Sequence, residues 1–450
     1  MHLRIFNYSF FRIIELREQS ESSWISGLFV PPVRGGEMES IMLPVDKKRV
    51  ADLIAGLAKF GKTDAGITRL AYTSTDKAAQ LWLLKQIEYL NLEVREDVLG
   101  NLFLRRPGLD PTVPPVACGS HLDTVIHGGA YDGMCGVVGA LEALHMLTDE
   151  TLRRSIEVIV FRAEESSRFG FATIGSKLIT GKAKPEKFAD AGRKDDITFK
   201  EAVKEWGGNL EDYQKALLQP GAYKCFAEMH IEQGKVLEET KHQIGIVHNI
   251  AAPTRFKLHI KGMADHSGAT PMGFRKDALV SAAKMILAVE TAAIREKEHG
   301  TVGTVGIVEV DPGSINVVPG GVTLWVDVRG VEPESIQRTL KEIRQAAQGT
   351  ARTDGITIEE EMLTSDSPVA LDAAMAAQSE EICREQNKSF LHMNSGAGHD
   401  AMHMPGICPT TMLFIPCKGG ISHNPAEFAE NEDICAGIEV MAEILKREAQ

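Results

Sequence analysis

The 450-residue chain has no surplus of basic side chains, no paired cysteines and no long apolar run, and each absence removes a class of function. Lysine and arginine number 49 against 62 acidic residues, a net charge of −13 at pH 7. Nucleic acids and anionic membranes need a basic surface, so neither is an expected partner, although a local basic pocket for a small anion fits the balance. The seven cysteines (Cys118, Cys135, Cys225, Cys383, Cys408, Cys417, Cys435) are odd in number, widely spread and free of any CxxC pair. That usage predicts a reduced, cytoplasmic protein rather than a disulfide-stapled secreted one. No segment approaches the roughly 18 apolar residues that read as a membrane span. Phe6–Leu16 is interrupted by Asn7, Arg12 and Glu15, which makes a poor signal-peptide core.

What remains is an ordinary globular composition, 43% hydrophobic and 25% charged. Residues 1–45 hold no sustained period of 2 or 3.6 and read as an unassigned tail, or as an over-long gene start with translation beginning at Met38 or Met42. Order begins at Asp46, a good N-cap, with Val50, Leu53, Ile54 and Leu57 on one helical face. Helical and strand signals then alternate. Helices are expected at about Thr75–Leu90 and Gly136–Leu147. Strands are expected around Glu93–Asp97 and Asn101–Arg105, in the buried run Val113–Cys118 and at Ile156–Phe161. The character changes near Gly245: Phe256, Leu258 and Ile260 alternate inward, with helices at about Asp277–Glu296 and Glu334–Gln348 and strands at Val302–Val310 and Val322–Asp327. The α/β pattern resumes with a helix at Asp372–Glu385, a strand at Thr411–Ile415 and a last helix at Asn431–Lys446. The expected fold is α/β: a discontinuous α/β/α domain (46–249 and 366–450) with an inserted α+β domain (250–365).

Chemistry-bearing residues cluster at predicted strand ends, where open α/β sheets place their sites. His121 and Asp123 stand in Gly119–Val125, where the carboxylate can accept from the second imidazole nitrogen; alone, an H-x-D is common. Asp132 lies in the glycine-rich Gly128–Gly133, equally an ordinary Asp-Gly turn. Glu164 and Glu165 leave the strand Ile156–Phe161 side by side and would repel unless a cation or proton sits between them, the alternative being a solvated acidic loop. His230 and His423 complete a His, Asp, Glu, His, His set suited to zinc, manganese, cobalt or nickel. A bridging carboxylate makes two metals reasonable.

The motifs GSHLDTV, GGAYDG, AEESSRFG, MHIEQG, ADHSGATPM, SINVVPG and KGGISHNPAE closely resemble the amidohydrolase branch of the dinuclear metallo-aminoacylase/peptidase superfamily. That branch holds N-carbamoyl-L-amino-acid hydrolases, allantoate amidohydrolases and β-ureidopropionases, and the resemblance runs in motif order from about Asp46 to the C-terminus. It implies two divalent metal ions per subunit. Asp132 would bridge them, with His121 and His230 on one, Glu165 and His423 on the other, and Glu164 as general base. It further implies a homodimer in which His266 of the inserted lid/dimerisation domain reaches the partner's site. Gln233, Asn316 and Arg329 would hold the carboxylate and ureido group of a small substrate, with Gly398 in the loop SGAGHD. Arg329, taken to follow the strand Val322–Val328, can grip a carboxylate bidentately; without the resemblance it is as readily a surface ion pair. Two departures stand out: Ser166 replaces a usual glycine, and 248–253 lacks the glycine usual at the domain hinge. The expected activity is hydrolysis of an N-carbamoyl-L-amino acid, with allantoate or an N-carbamoyl β-amino acid as alternative substrates. A peptidase is disfavoured because those relatives place a carboxylate where His230 stands. A non-catalytic binding protein would be expected to have lost a ligand, and none is missing.

Overall fold

Strands that bury both faces build the main sheet. In Leu102–Arg106, Leu102 and Leu104 enter one apolar cluster and Phe103 the other; in Ile156–Phe161, Ile156, Val158 and Val160 go one way and Ile159 and Phe161 the other. Such strands read as continuous apolar runs because neither face meets water. The computed structural model describes residues 42–193 and 196–450, so the readings made for the tail up to residue 41 lie outside it. Helices Lys47–Leu57, Met134–Met146 and Asn431–Ala449 cover one face of this sheet. Ile174–Ile179 and Phe199–Trp206 contribute to the other. The α/β/α reading holds. No helix among the described residues is long and apolar enough to cross a membrane.

The nine-stranded sheet runs in the order Val369–Ala370, Ile244–Ile250, Thr410–Ile415, Phe226–Ile231, Val116–His121, Ile156–Phe161, Leu102–Arg106, Glu93–Glu96, with Phe390–Ser395 also beside Ile244–Ile250. The four strands from Thr410–Ile415 to Ile156–Phe161 are mutually parallel. Val116–His121 has the next strand of this parallel set on one side and the one after that on the other. Connections therefore diverge from its C-terminal end and leave a crevice there.

A second, four-stranded antiparallel sheet has the order Val302–Asp311, Gly321–Gly330, Ala252–Lys261, Thr357–Ser365. Phe256, Leu258 and Ile260 pack with Leu324 and Val326 beneath the helices Ala278–Arg295 and Pro333–Asp354, as the alternation predicts. Arg329 lies inside the strand Gly321–Gly330 rather than after it, because pairing with Ala252–Lys261 continues to Gly330. The helix expected to stop at Gln348 runs through Gly349 to Asp354. Gly355, at φ +64°, supplies the left-handed stop, and one mid-helix glycine costs only about 1 kcal/mol.

Candidate metal centre

His121 ends the strand Val116–His121, and its Nδ1 lies 3.0 Å from the main-chain carbonyl of Asp123. His230, next to last in Phe226–Ile231, places Nδ1 2.9 Å from the carbonyl of Ile231. A carbonyl can only accept, so each Nδ1 carries a proton and each Nε2 is the ring atom turned toward Asp132, that of His230 also accepting from the amide of Gly133 at 3.0 Å. The expected clamp from the Asp123 carboxylate is not the one used. That carboxylate is 3.8 Å from His121 Nδ1 and instead accepts the amides of Glu164 (3.3 Å) and Glu165 (3.0 Å). Two amides leaving a buried strand need an acceptor, and Asp123 supplies it, fixing the backbone under the paired glutamates.

Asp132 sits between the histidines. Its Oδ1 is 3.4 Å from His121 Nε2 and 3.2 Å from His230 Nε2; its Oδ2 is 3.5 Å from His423 Nε2, which is 3.4 Å from Glu165 Oε1. A tetrahedral ion with bonds of about 2.1 Å holds its ligand atoms about 3.4 Å apart. The trios His121/Asp132/His230 and Asp132/Glu165/His423 therefore have the spacing and donor chemistry of divalent-metal sites, with one Asp132 oxygen turned to each. Glu164 belongs to neither trio; its Oε2 is 3.8 Å from His121 Nε2.

Glu164 and Glu165 are each 7% exposed, which removes the solvated-loop reading. Burial pushes Glu164 well above the ordinary carboxylate range, with Glu165 adding to the rise and His121 opposing it. Burial and the neighbouring Asp132 push Glu165 up to about 7. For Asp132, burial is outweighed by the imidazoles of His230, His121 and His423, which hold it well below the usual range. Burial pulls His121 and His230 down, but the surrounding carboxylates win and raise both. The Asp132 hydrogen bond pushes exposed His423 up to about 9. The crevice draws in positive charge, as protons or as cations.

Gln233, Arg329 and Gly398 line the same cavity. Gln233 donates from Nε2 to Asp132 Oδ2 at 2.6 Å, while its buried Oε1 has no partner among the described residues. Arg329 and Arg255 both donate to Asp327. Arg255, Lys177 and Asp366 also line the cavity and carried no motif signal; so does His399 of the SGAGHD loop, which was not singled out and packs its ring 4.6 Å from that of His230. His266 and Asn316 are not among the cavity-lining residues. His266 lies in the short ladder of Asp265–His266 with Val317–Val318, and Asn316 just precedes that ladder, its carbonyl accepting from Ser267 N. His266 is exposed; its Nδ1 accepts from the amides of Gly268 and Ala269, leaving Nε2 without a partner among the described residues.

A sheet crevice that joins two ligand trios through one carboxylate, with a further buried glutamate beside them, is the arrangement of a metal-dependent hydrolase. The family model described as Peptidase family M20/M25/M40 matches residues 117–447, and the chain belongs to that family. An uncharacterized hydrolase of Haemophilus influenzae is 41% identical over 91% of this chain and 100% of its own. An N-carbamoyl-L-amino-acid amidohydrolase of Pseudomonas sp. is 37% identical over 89% of this chain and 97% of its own; a ureidoglycolate hydrolase of Arabidopsis thaliana is 36% identical over 89% and 86%. The crystal structure of AtUAH in complex with glyoxylate superposes with a TM-score of 0.80 at 35% identity, covering 91% of this chain and 99% of that one.

Protons would compete with a divalent ion for His423 and Glu165, which with Asp132 form a group that could hold one. Because His423 is held up to about 9 and Glu165 up to about 7, the affinity of their trio for a divalent ion should rise with pH and level off above about 9. Calorimetric titration of the metal-stripped protein with Zn²⁺ between about pH 6 and 9 reads this directly; a flat profile would remove both residues from the ligand set.

Proposed function

We propose that the protein hydrolyses the linear ureido C–N bond of an N-carbamoyl-L-amino acid, releasing ammonia, carbon dioxide and the amino acid. The observation that carries this reading is Asp132 shared between two ligand trios with Glu164 buried beside them. His121, Asp132 and His230 would hold one divalent ion, and Asp132, Glu165 and His423 a second, of zinc, manganese, cobalt or nickel. When bound, such ions lower the pKa of a water and polarise a carbonyl.

Glu164 is outside both trios and in a setting that favours holding a proton. It takes a proton from the attacking water at Oε2 and delivers it to the departing nitrogen. Gln233 Oε1, a buried acceptor without a partner among the described residues, receives an N–H of the ureido group. Arg329 takes the substrate carboxylate. The charge count supports a single carboxylate: Lys177, Arg255 and Arg329 face Asp327 and Asp366, leaving one positive charge to be met. Gly398 lines the same cavity without a side chain to obstruct it.

The second sheet acts, in this reading, as a lid and dimerisation layer. His266 and Asn316, at the separate short ladder and apart from the cavity in their own chain, serve the site of a partner subunit, with the unpartnered Nε2 of His266 donating to the developing oxyanion. Seven buried free cysteines support a cytoplasmic setting. Allantoate or an N-carbamoyl β-amino acid would use the same reacting group and differ only in what lies beyond it.

Ammonia release from N-carbamoyl-L-methionine, N-carbamoyl-β-alanine and allantoate separates the substrates, the first being expected to give the highest kcat/KM. Glu164→Gln should lower kcat by about 10²–10⁴-fold while metal content stays near wild type. Loss of metal in that variant would exchange the roles of Glu164 and Glu165. Glu164→Gln and His266→Ala subunits, unfolded and refolded together in equal amounts, should recover about a quarter of wild-type activity through mixed dimers. Proven mixed dimers without recovery would place His266 outside the partner's site.

A further inference from the structure

The loop that carries His423 lies far in sequence from Asp132, yet one buried side chain ties the two together. Glu427, 5% exposed, accepts the amides of Tyr131 (2.8 Å) and Asp132 (3.0 Å) with Oε1. Its Oε2 lies 3.0 Å from the hydroxyl of Ser422, and the same hydroxyl lies 2.8 Å from Asp132 Oδ2. A single hydroxyl proton thus sits between two carboxylates, one of which is the group common to both trios. The seat is closely fitted: a Cβ on Gly129 would fall 2.3 Å from Glu427 Oε1.

The His423 loop needs such a tie. His423 is held at φ +56°, a conformation that costs a non-glycine residue about 1 kcal/mol or more, and its side chain is half exposed. Local bonds fix part of the turn, Glu427 N donating to the Asn424 carbonyl and Ala426 N to Asn424 Oδ1. Neither bond refers the turn to the rest of the centre. Glu427 and Ser422 link it to the Asp132 loop, beside the 3.5 Å approach of His423 Nε2 to Asp132 Oδ2, 3.4 Å contacts from Gln233 to Ser422 and to His423, and the edge-on packing of Phe428 against Tyr131.

We infer that Glu427 is a positioning residue which, through Ser422, couples the loops of Asp132 and His423 and so sets the affinity of the Asp132/Glu165/His423 trio for its metal. This rests on the metal-centre reading above. The two ends of Glu427 do separable work. Oε1 orients the backbone of Asp132 and bears on both trios, whereas Oε2 acts through Ser422 on the His423 loop and on Asp132 Oδ2, the oxygen turned to the Asp132/Glu165/His423 trio. Glutamine keeps an oxygen for the two amides but turns an NH₂ toward Ser422; alanine at 422 removes the shared proton and little else.

The test is calorimetric titration of metal-stripped full-length protein with Zn²⁺, alongside thermal unfolding of the same metal-free samples. Wild type should take up two equivalents. Glu427→Gln and Ser422→Ala should each weaken one of the two equivalents by about tenfold or more, leaving the other within about threefold of wild type. Two equivalents bound with wild-type affinities in both variants would overturn the inference, including when the unfolding midpoint falls, since that result assigns Glu427 to stability alone. If Glu427→Gln fails to fold, Ser422→Ala decides by the same criterion. Failure of the wild type to bind Zn²⁺ at all would overturn the metal-centre reading, and this inference with it.

Discussion

Asp132 carries a buried negative charge between three imidazoles, and the cost of holding that charge out of water shapes everything around it. An isolated buried carboxylate is so unfavourable that it ordinarily takes up a proton. Here the imidazoles of His230, His121 and His423 keep it ionised, while neighbouring Glu164 and Glu165 are pushed the other way by the same burial. The centre is balanced only when positive charge is supplied, and the two trios give that charge two defined places. Glu164 is left out of both trios.

The fold produces this crowding by topology. Val116–His121 has its later parallel neighbours on opposite sides, so chain segments diverge from its end and open a crevice that backbone does not fill. His121 ends that strand, Glu164 and Glu165 follow its neighbour on one side, and His230 stands near the end of its neighbour on the other. Gly133, at φ +69°, lets the Asp132 loop turn into the helix Met134–Met146; a Cβ there would lie 2.5 Å from the His121 ring. Asp123 fixes the glutamate backbone and Glu427 the Asp132 backbone, so each loop is held by a carboxylate from another.

Much of this was legible in the sequence because the central strands are dry on both faces and announce themselves as apolar runs, with the chemistry-bearing residues just beyond them. The alternation of Phe256, Leu258 and Ile260 was equally readable, since one face of the second sheet packs on helices and the other does not. What escaped lacks either signal. Thr357–Ser365 is an edge strand exposed along nearly its whole length and rich in glutamate, so no period of two survives in it. Phe390–Ser395, half exposed, pairs among the described residues only with Ile244–Ile250, and its mixture of apolar and polar residues keeps no period of two. Arg255 and Lys177 reach the cavity from a strand and a short helix whose patterns mark only their apolar faces. Asp123 was assigned the wrong partner because spacing places it near His121 but says nothing of the two amides that arrive from 41 and 42 residues away.

The shared carboxylate is the point on which the account turns, and it can be isolated from substrate identity and turnover. Equilibrium dialysis of Asp132→Ala against a divalent ion such as Mn²⁺ or Zn²⁺, with elemental analysis of the retained metal, measures it directly. If Asp132 serves both trios, the variant should lose high-affinity binding of both ions while remaining folded. One ion retained at wild-type affinity would show that the trios do not share Asp132, and would contradict the bridged centre.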